Sequence, residues 1–204
     1  MADKNFELLD PASGKKSLLP VRQGTVGPAV LDIATINKDQ GVFTFDPGFG
    51  VTAATESKIT YIDGDAGVLM HRGYPIEQLA EKSSFTEVAY LLLYGDLPTA
   101  QALQEFSLSI GHHTMINESL LRFFGGFHHN AHPMAMVSAV VASMSAFYHD
   151  TMDINNPRHR EIFAHRIIAK IPTIAAPAYD RAPGQPDVCA GCPRHSLAHV
   201  FGMS

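Results

Sequence analysis

The chain has 204 residues, 46% of them hydrophobic, and a formal net charge of -5 at pH 7. This length is enough for one domain, or one and a half, with a substantial core. The negative balance argues against a broad nucleic-acid-binding surface, so we expect protein or small-molecule partners.

Targeting signals are not recognisable in the sequence. No apolar run approaches the ~18 residues needed to span a bilayer. The opening MADKNFELLD lacks the basic-then-apolar pattern of a secretory signal. We therefore expect a cytoplasmic protein with no membrane partner. The two cysteines, Cys189 and Cys192, are too few for a disulfide framework.

Residues 1–58 contain short β-prone runs separated by turn residues, which predicts a small β-rich N-terminal region. The runs are FELLD, KSLLPV and GVFTFDPGFG. Residues 59–62 and 68–71 then flank an Asp- and Gly-rich segment, which predicts a β-hairpin. Pro75 follows where a helix can begin.

A junction of polar residues, His71, Arg72 and Tyr74, joins the hairpin to that helix. These side chains could in principle be catalytic, but no carboxylate pairs with them at a motif spacing. We interpret the junction as an architectural corner whose polar groups satisfy nearby backbone.

Helical periodicity dominates from residue 76 onward. A second helix ends at Gly95, and a third begins at Thr99. The remaining helices are predicted over residues 118–124, 133–150 and 157–172. In the last of these, the apolar stripe is formed by Phe163, Ala164, Ile167, Ile168 and Ile171.

Several long motifs carry a resemblance to a known family. They are KITYIDGDAGVLMHRGYPIEQLAE, HHTMINE, AHPMAMVSAVVASMSAFYHD, INNPRHREIFAHRIIAKIPTIAA and GVFTFDPGF. Over residues 6–180 the chain resembles the N-terminal half of a bacterial citrate synthase of the hexameric, NADH-inhibited type. The resemblance implies a mainly α fold, with a partial helical large domain over residues 59–182 and a divergent, irregular tail over 183–204.

The same resemblance implies the reaction of the family and the absence of its catalytic residues from this chain. The family condenses acetyl-CoA with oxaloacetate and water to give citrate and CoA, using His and Asp residues to enolise the acetyl group. Those residues fall in the half that would follow residue 204, so we assign no catalytic residue and no cofactor. We expect a truncated member, inactive alone, from a family that forms homo-oligomers.

An allosteric NADH site is also implied by the resemblance. Its residues align with His113, Thr114, Met115, Tyr148, Arg166 and Lys170. The chemistry is consistent, because Arg166 and Lys170 lie four residues apart on one helix face and offer two cations to a pyrophosphate. Two features count against the site: His112 replaces a usual basic residue, and one family contact comes from beyond residue 204. The alternative is that both cations merely solvate the helix face.

Metal binding is the remaining alternative. Adjacent histidines, as in His112-His113 and His128-His129, point about a hundred degrees apart on a helix and do not readily share an ion. In the tail, Cys189, Cys192, His195 and His199 have zinc-ligand identities. Their short spacing strains a geometry in which two ligand pairs converge, so we assign no metal ligand and keep a zinc site in the tail as the least favoured alternative.

Three hypotheses follow from the sequence. The chain is a truncated citrate synthase, a non-catalytic regulatory or interaction module that keeps part of an NADH site, or a small zinc-binding protein built on the tail.

Overall fold

The computed structural model describes residues 4–181, with side chains described as far as residue 179. It is mainly α-helical with two small antiparallel sheets, as the sequence predicts. The strands are β1 (Asn5–Leu9), β2 (Lys16–Arg22), β3 (Val30–Leu31), β4 (Thr60–Asp63), β5 (Val68–His71) and β6 (Tyr74–Pro75). The helices are α1 (Ile36–Gln40), α2 (Ile76–Lys82), α3 (Phe85–Tyr94), α4 (Ala100–His112), α5 (Glu118–Phe123), α6 (Pro133–Ser143) and α7 (Pro157–Arg181).

The chain divides after Leu97 into two compact units. Among the described helices, none combines the length and the apolar character needed to cross a membrane.

The first unit begins with a three-stranded antiparallel sheet in the order β1-β2-β3. Alternation along β2 buries Ser17 and Leu19 and leaves Leu18 exposed. Two of the predicted β-prone runs are therefore confirmed as strands. The short helix α1, which buries Ile36, was not predicted.

The third β-prone run, residues 41–50, is not a strand, so that prediction is wrong. The Asp46 carboxylate accepts the N–H groups of Gly50 at 3.1 Å and Val51 at 3.0 Å, which closes a local loop. Gly48 and Phe49 both have positive φ, at 79° and 56°, which lies outside the β region of a regular strand. The alternating aromatics of this run consequently remain exposed.

The predicted hairpin is confirmed, with Thr60 opposite His71 and Asp63 opposite Val68. Strand β6 adds a third member, in the order β4-β5-β6. Between β5 and β6 the chain reverses through Arg72 and Gly73, both at positive φ.

The polar corner makes structural contacts, as the sequence predicts. His71 Nδ1 lies 3.1 Å from the Thr60 hydroxyl. The Arg72 guanidinium donates to the carbonyl of Leu92 at 2.7 Å and to that of Lys58 at 3.4 Å, although its Nε is buried without a hydrogen-bond partner. Arg72 therefore ties the hairpin to α3.

Helix boundaries in this unit follow the local sequence. Pro75 is the N-cap of α2, one position earlier than a first helical residue. A capping box starts α3, in which the Ser84 hydroxyl accepts from the Glu87 N–H and the Glu87 carboxylate accepts from the Ser84 N–H. The left-handed Gly95 ends α3, as predicted.

The second unit is built around one apolar core, formed where α5, α6 and α7 meet. Its fully buried members are Leu120, Phe124, Met136, Val140, Met144, Ile174 and Ala178. Residues four apart on α6 supply its buried face, whereas Met134 on the same helix is 62% exposed. The residues of α6 are apolar or small nearly all round, which is typical of a helix buried on several sides, but here one face is buried and the other is exposed.

Two helix ends differ from the predictions. The regular part of α6 stops at Ser143 and continues as 3₁₀ turns at residues 144–146 and 149–151. Near that end, the Ser143 and Ser145 hydroxyls donate to the carbonyls of Val140 and Ala142, and such local bonds compete with helix geometry.

Helix α7 continues through Pro172 and Pro177 to Arg181 instead of ending at Pro172. A proline inside a helix costs about 3 kcal/mol, because it removes one backbone hydrogen bond and crowds the preceding turn. Burial of Ile174 and Ala178 in the core offsets that cost, since both residues reach the core only if the helix persists.

Candidate functional site

One face of α7 places polar residues in the interior of the second unit. His159, Arg166, Lys170 and Thr173 follow one another at intervals of seven, four and three residues, which places them in a narrow stripe. Arg166 is 9% exposed and Lys170 is 3% exposed. The alternative in which these two cations only solvate the helix face is therefore wrong.

Lys170 and Thr173 bind a segment that lies more than fifty residues away in sequence. The Lys170 ammonium donates to the carbonyl of His113 at 2.7 Å and also to the carbonyl of Met115. The Thr173 hydroxyl donates to the carbonyl between them, that of Thr114, at 3.0 Å. Three consecutive carbonyls are thus held by two side chains of α7.

The sequence around this segment prepares it for the contact. His113 is the C-cap of α4, and its N–H donates to the carbonyl of Ile110 at 3.0 Å. The Thr114 hydroxyl donates to the carbonyl of Gly111 at 3.0 Å. These two bonds satisfy the carbonyls of Ile110 and Gly111 at the end of α4. The carbonyls of residues 113–115 follow the helix and face α7.

Helix α4 itself is attached to α7 one turn earlier. The Ser109 hydroxyl and His165 Nδ1 are 2.8 Å apart, and Phe106 packs edge-to-face against the His165 ring with centroids 5.0 Å apart. These contacts fix the position of the C-terminal end of α4 against α7, and so place residues 113–115 beside Lys170.

Arg166 makes a two-pronged ion pair with Asp150. Its two terminal nitrogens donate to the two carboxylate oxygens at 2.7 and 2.6 Å, and one of them also donates to the Thr151 hydroxyl at 3.1 Å. Paired contacts of this kind are among the stronger hydrogen bonds in proteins. The carboxylate side of the pair is the more exposed, at 60% against 11% for the Arg166 side chain.

Tyr148 contacts both cations with its ring. The Arg166 guanidinium carbon lies 4.8 Å from the ring centroid and the Lys170 nitrogen lies 5.1 Å from it. At these distances the ring attracts both positive charges, which compensates part of their mutual repulsion.

Electrostatics in the cluster follow from burial and from the two cations. Burial lowers the pKa of Lys170, and the Arg166 charge lowers it further. Burial likewise lowers the pKa of His113, with the charges of Arg166 and Lys170 adding to the effect. The hydrogen bonds from Arg166 lower the pKa of Asp150, whereas burial raises the pKa of Tyr148. The folded cluster therefore favours neutral His113 and Tyr148 beside ionised Asp150.

The structure brings all six sequence-predicted NADH-site residues into this one cluster. The carbonyls of His113 and Met115 accept from Lys170, and the Tyr148 ring contacts both α7 cations. Met115 points outward and is 62% exposed.

Sequence reasoning missed Asp150, Thr151 and Thr173, which complete the hydrogen bonding. Thr173 lies three residues after Lys170 and so shares its face, a signal that was available. The approach of Asp150 to Arg166 depends on the 3₁₀ turn at residues 149–151, which the sequence does not reveal.

Metal binding receives no support within residues 4–181, where no three His, Cys, Asp or Glu side chains form a group able to hold an ion. His128 and His132 instead accept backbone N–H groups, from Asn130 and Met134. The Cys/His pattern of the tail lies outside the described residues.

Comparison with solved structures finds citrate synthases. A ternary complex of the Thermoplasma acidophilum citrate synthase with carboxymethyl coenzyme A and oxaloacetate is similar at 26% identity and a TM-score of 0.62, covering 68% of this chain and 36% of that one. The Thermotoga maritima MSB8 enzyme is similar at 29% identity and a TM-score of 0.63, covering 78% of this chain and 40% of that one. The Pyrobaculum aerophilum enzyme is similar at 25% identity and a TM-score of 0.57, covering 81% of this chain and 39% of that one.

The chain therefore spans roughly two fifths or less of the length of the structures it matches. The family described as citrate synthase, C-terminal domain, matches residues 48–202, about three quarters of the sequence. The match covers the whole hairpin, all of the helices from α2 onward and the whole polar cluster, and on this basis the chain belongs to the citrate synthase family.

Proposed function

We propose that these 204 residues supply a helical part of the citrate synthase scaffold, and that the purified polypeptide alone makes no citrate. The observation that carries the proposal is the extent of the match, because the chain covers only 36% to 40% of the three solved relatives. The reaction of the whole protein is the condensation of acetyl-CoA with oxaloacetate, and both are its proposed substrates.

The chemistry explains why part of the scaffold is insufficient. Enolising the acetyl group needs a base at its methyl carbon and a hydrogen-bond donor at the thioester oxygen. Both must be held in a closed site from which water is excluded. By the resemblance, the His and Asp residues that perform these steps are not among these 204 residues.

An assay for citrate tests this proposal. The purified chain is incubated with acetyl-CoA and oxaloacetate, and citrate is measured by mass spectrometry, because Cys189 and Cys192 would react with a thiol reagent. The Thermotoga maritima enzyme serves as the positive control. We expect no citrate above the buffer rate, and formation clearly above that rate would overturn the proposal.

A second proposed function is binding of an anionic nucleotide, with NADH as the ligand, at the cluster around Tyr148. The supporting observation is the convergence of two buried cations on one aromatic ring, beside the carbonyls of residues 113–115. Arg166 offers a planar pair of donors suited to a phosphate group. The Tyr148 ring offers a surface for a base or a ribose.

Calorimetry with NADH tests the nucleotide site. Arg166→Gln removes the charged donors, whereas Arg122→Gln removes an exposed cation on α5 and serves as the matched control. We expect heat of binding from the wild type and from the control, and loss of binding in Arg166→Gln. Equal binding by all three chains would show that the ligand sits elsewhere.

A homo-oligomeric state and a cytoplasmic location belong to the same proposal and rest on the family resemblance. The aromatic residues Phe43, Phe45 and Phe49 are exposed, and a neighbouring subunit would cover such residues. Light scattering after size-exclusion chromatography tests this part, and a monomer at all concentrations would contradict it.

A further inference from the structure

Asp150 occupies the anion-binding donors of Arg166 in the way that an external phosphate would. Both carboxylate oxygens accept from the two terminal nitrogens of the guanidinium, which is the paired contact that a phosphate would make. A ligand anion cannot use these donors while the pair is intact.

Arg166 is more constrained by its surroundings than Asp150. Arg166 extends from the middle of α7, is buried, and also donates to the buried Thr151. Asp150 lies on a single 3₁₀ turn, and its side chain is largely exposed. Exchange of the carboxylate for another anion therefore needs movement of Asp150 and leaves Arg166 in place.

One further residue of α7, His159, acts at the position that the Asp150 carboxylate occupies. The charge of His159 contributes to lowering the pKa of Asp150, so this imidazole is near enough to act on an anion at the same position. Its Nδ1 is buried without a hydrogen-bond partner. His159 lies on the same stripe of α7 as Arg166, seven residues earlier.

We propose that Asp150 is a built-in occupant of the anion site, and that a phosphate-bearing ligand binds by displacing its carboxylate from Arg166. The inference rests on the proposed nucleotide site and adds a competitive step to it. It also specifies the ligand class, because a phosphate or pyrophosphate brings more charge to Arg166 than the single carboxylate it replaces.

The competition has a measurable consequence. When the binding-competent form is only a fraction of the population, the apparent dissociation constant rises by the inverse of that fraction. Asp150→Asn removes the competing charge and the repulsion between Asp150 and an incoming phosphate. We expect binding about tenfold tighter in this variant.

The experiment is calorimetric titration with two separate probes, NADH and inorganic pyrophosphate. Asp150→Asn is compared with the wild type and with Asp153→Asn. The control removes the same charge three residues further along the chain. In the described contacts, the Asp153 carboxylate accepts only a local N–H, that of Asn155. Asp150→Glu keeps the charge and is expected to bind no more tightly than the wild type. Circular dichroism checks each fold, and Asp150→Ser replaces the Asn variant if that variant unfolds.

The outcomes separate this inference from the function on which it rests. Tighter binding by the neutral Asp150 variant alone supports the inference, including the case in which the wild type shows no detectable binding. Binding by the wild type with no gain in the neutral variant overturns the role of Asp150 and leaves the nucleotide site intact. Absence of binding in every chain overturns both.

Discussion

Removing the Lys170 ammonium tests how the 113–115 segment is held. We consider Lys170→Met, because methionine keeps a long unbranched side chain and loses the charged donor. The change removes the hydrogen bonds from Nζ to the carbonyls of His113 and Met115. The Thr173 bond to Thr114 is the one contact of this set that remains.

The magnitude follows from two opposing effects. A hydrogen bond to a charged group stabilises a protein by roughly 1.5 to 3 kcal/mol, so two such bonds give roughly 3 to 6 kcal/mol. Against this, the ammonium is almost fully buried, and burial lowers its pKa, so the folded state bears a desolvation cost that methionine avoids. We expect a net loss of about 2 kcal/mol in the free energy of unfolding.

Urea denaturation followed by circular dichroism measures that loss. The matched control is Arg122→Met on α5, whose ion pair with Glu118 is exposed on both sides and contributes about 0.3 to 0.5 kcal/mol. Hydrogen exchange gives the local test, because release of the carbonyls should accelerate exchange in the peptide that contains residues 113–115.

The reasoning is refuted if Lys170→Met unfolds at the same urea concentration as the wild type and exchanges no faster over residues 113–115. That result would mean that water or another group replaces the ammonium at no cost. A large loss without local acceleration would instead point to general disruption of the core.

Three further predictions concern other parts of the molecule. Ser84→Ala removes the capping box of α3 and should cost about 1 kcal/mol, measured by urea denaturation; an unchanged midpoint would contradict the role of the cap. Leu120→Ala empties part of the core between α5 and α7 and should cost about 3 kcal/mol in the same assay, with a loss below 1 kcal/mol showing that the site repacks. Because the Arg166 hydrogen bonds lower the pKa of Asp150, the stabilisation from that pair is present above the ordinary carboxyl pKa and is lost as the pH falls through the lower folded value. The stability difference between the wild type and Asp150→Asn should therefore be present at pH 7 and vanish at low pH, and an equal difference at both would exclude the ion pair as its cause.

Local signals in the sequence were sufficient for the hairpin and for most helix starts. An Asp- and Gly-rich turn between two β-prone runs predicted β4 and β5, and Gly95 predicted the end of α3. These features depend on neighbours within a few residues, so no tertiary information is needed to recognise them.

Predictions failed where distant contacts or local side-chain bonds decide the structure. The aromatic run at residues 41–50 alternates like a strand, but the Asp46 carboxylate closes it into a loop. Helix α7 continues past Pro172 because Ile174 and Ala178 are needed in a core whose other members are on α5 and α6. Propensity alone cannot weigh that burial against the cost of a proline.

For the candidate site, the sequence indicated part of the set of residues and little about their contacts. The resemblance identified six residues, and the spacing of Arg166 and Lys170 indicated a shared helix face. Neither could indicate that both cations are buried, or that Lys170 is engaged by carbonyls 55 and 57 residues away. Those partners come from the packing of α4 against α7, which sequence spacing does not encode.

Proton abstraction from acetyl-CoA is the most direct test of the claim that this chain supplies scaffold without the chemistry. The purified polypeptide is placed in D₂O with acetyl-CoA and oxaloacetate, and loss of the acetyl methyl proton signal is followed by NMR. Enolisation exchanges these protons even when no carbon–carbon bond forms, so the measurement detects a base that a citrate assay would miss. The account predicts exchange at the buffer rate. Exchange clearly faster than buffer would contradict it, because a competent base would then lie within these 204 residues.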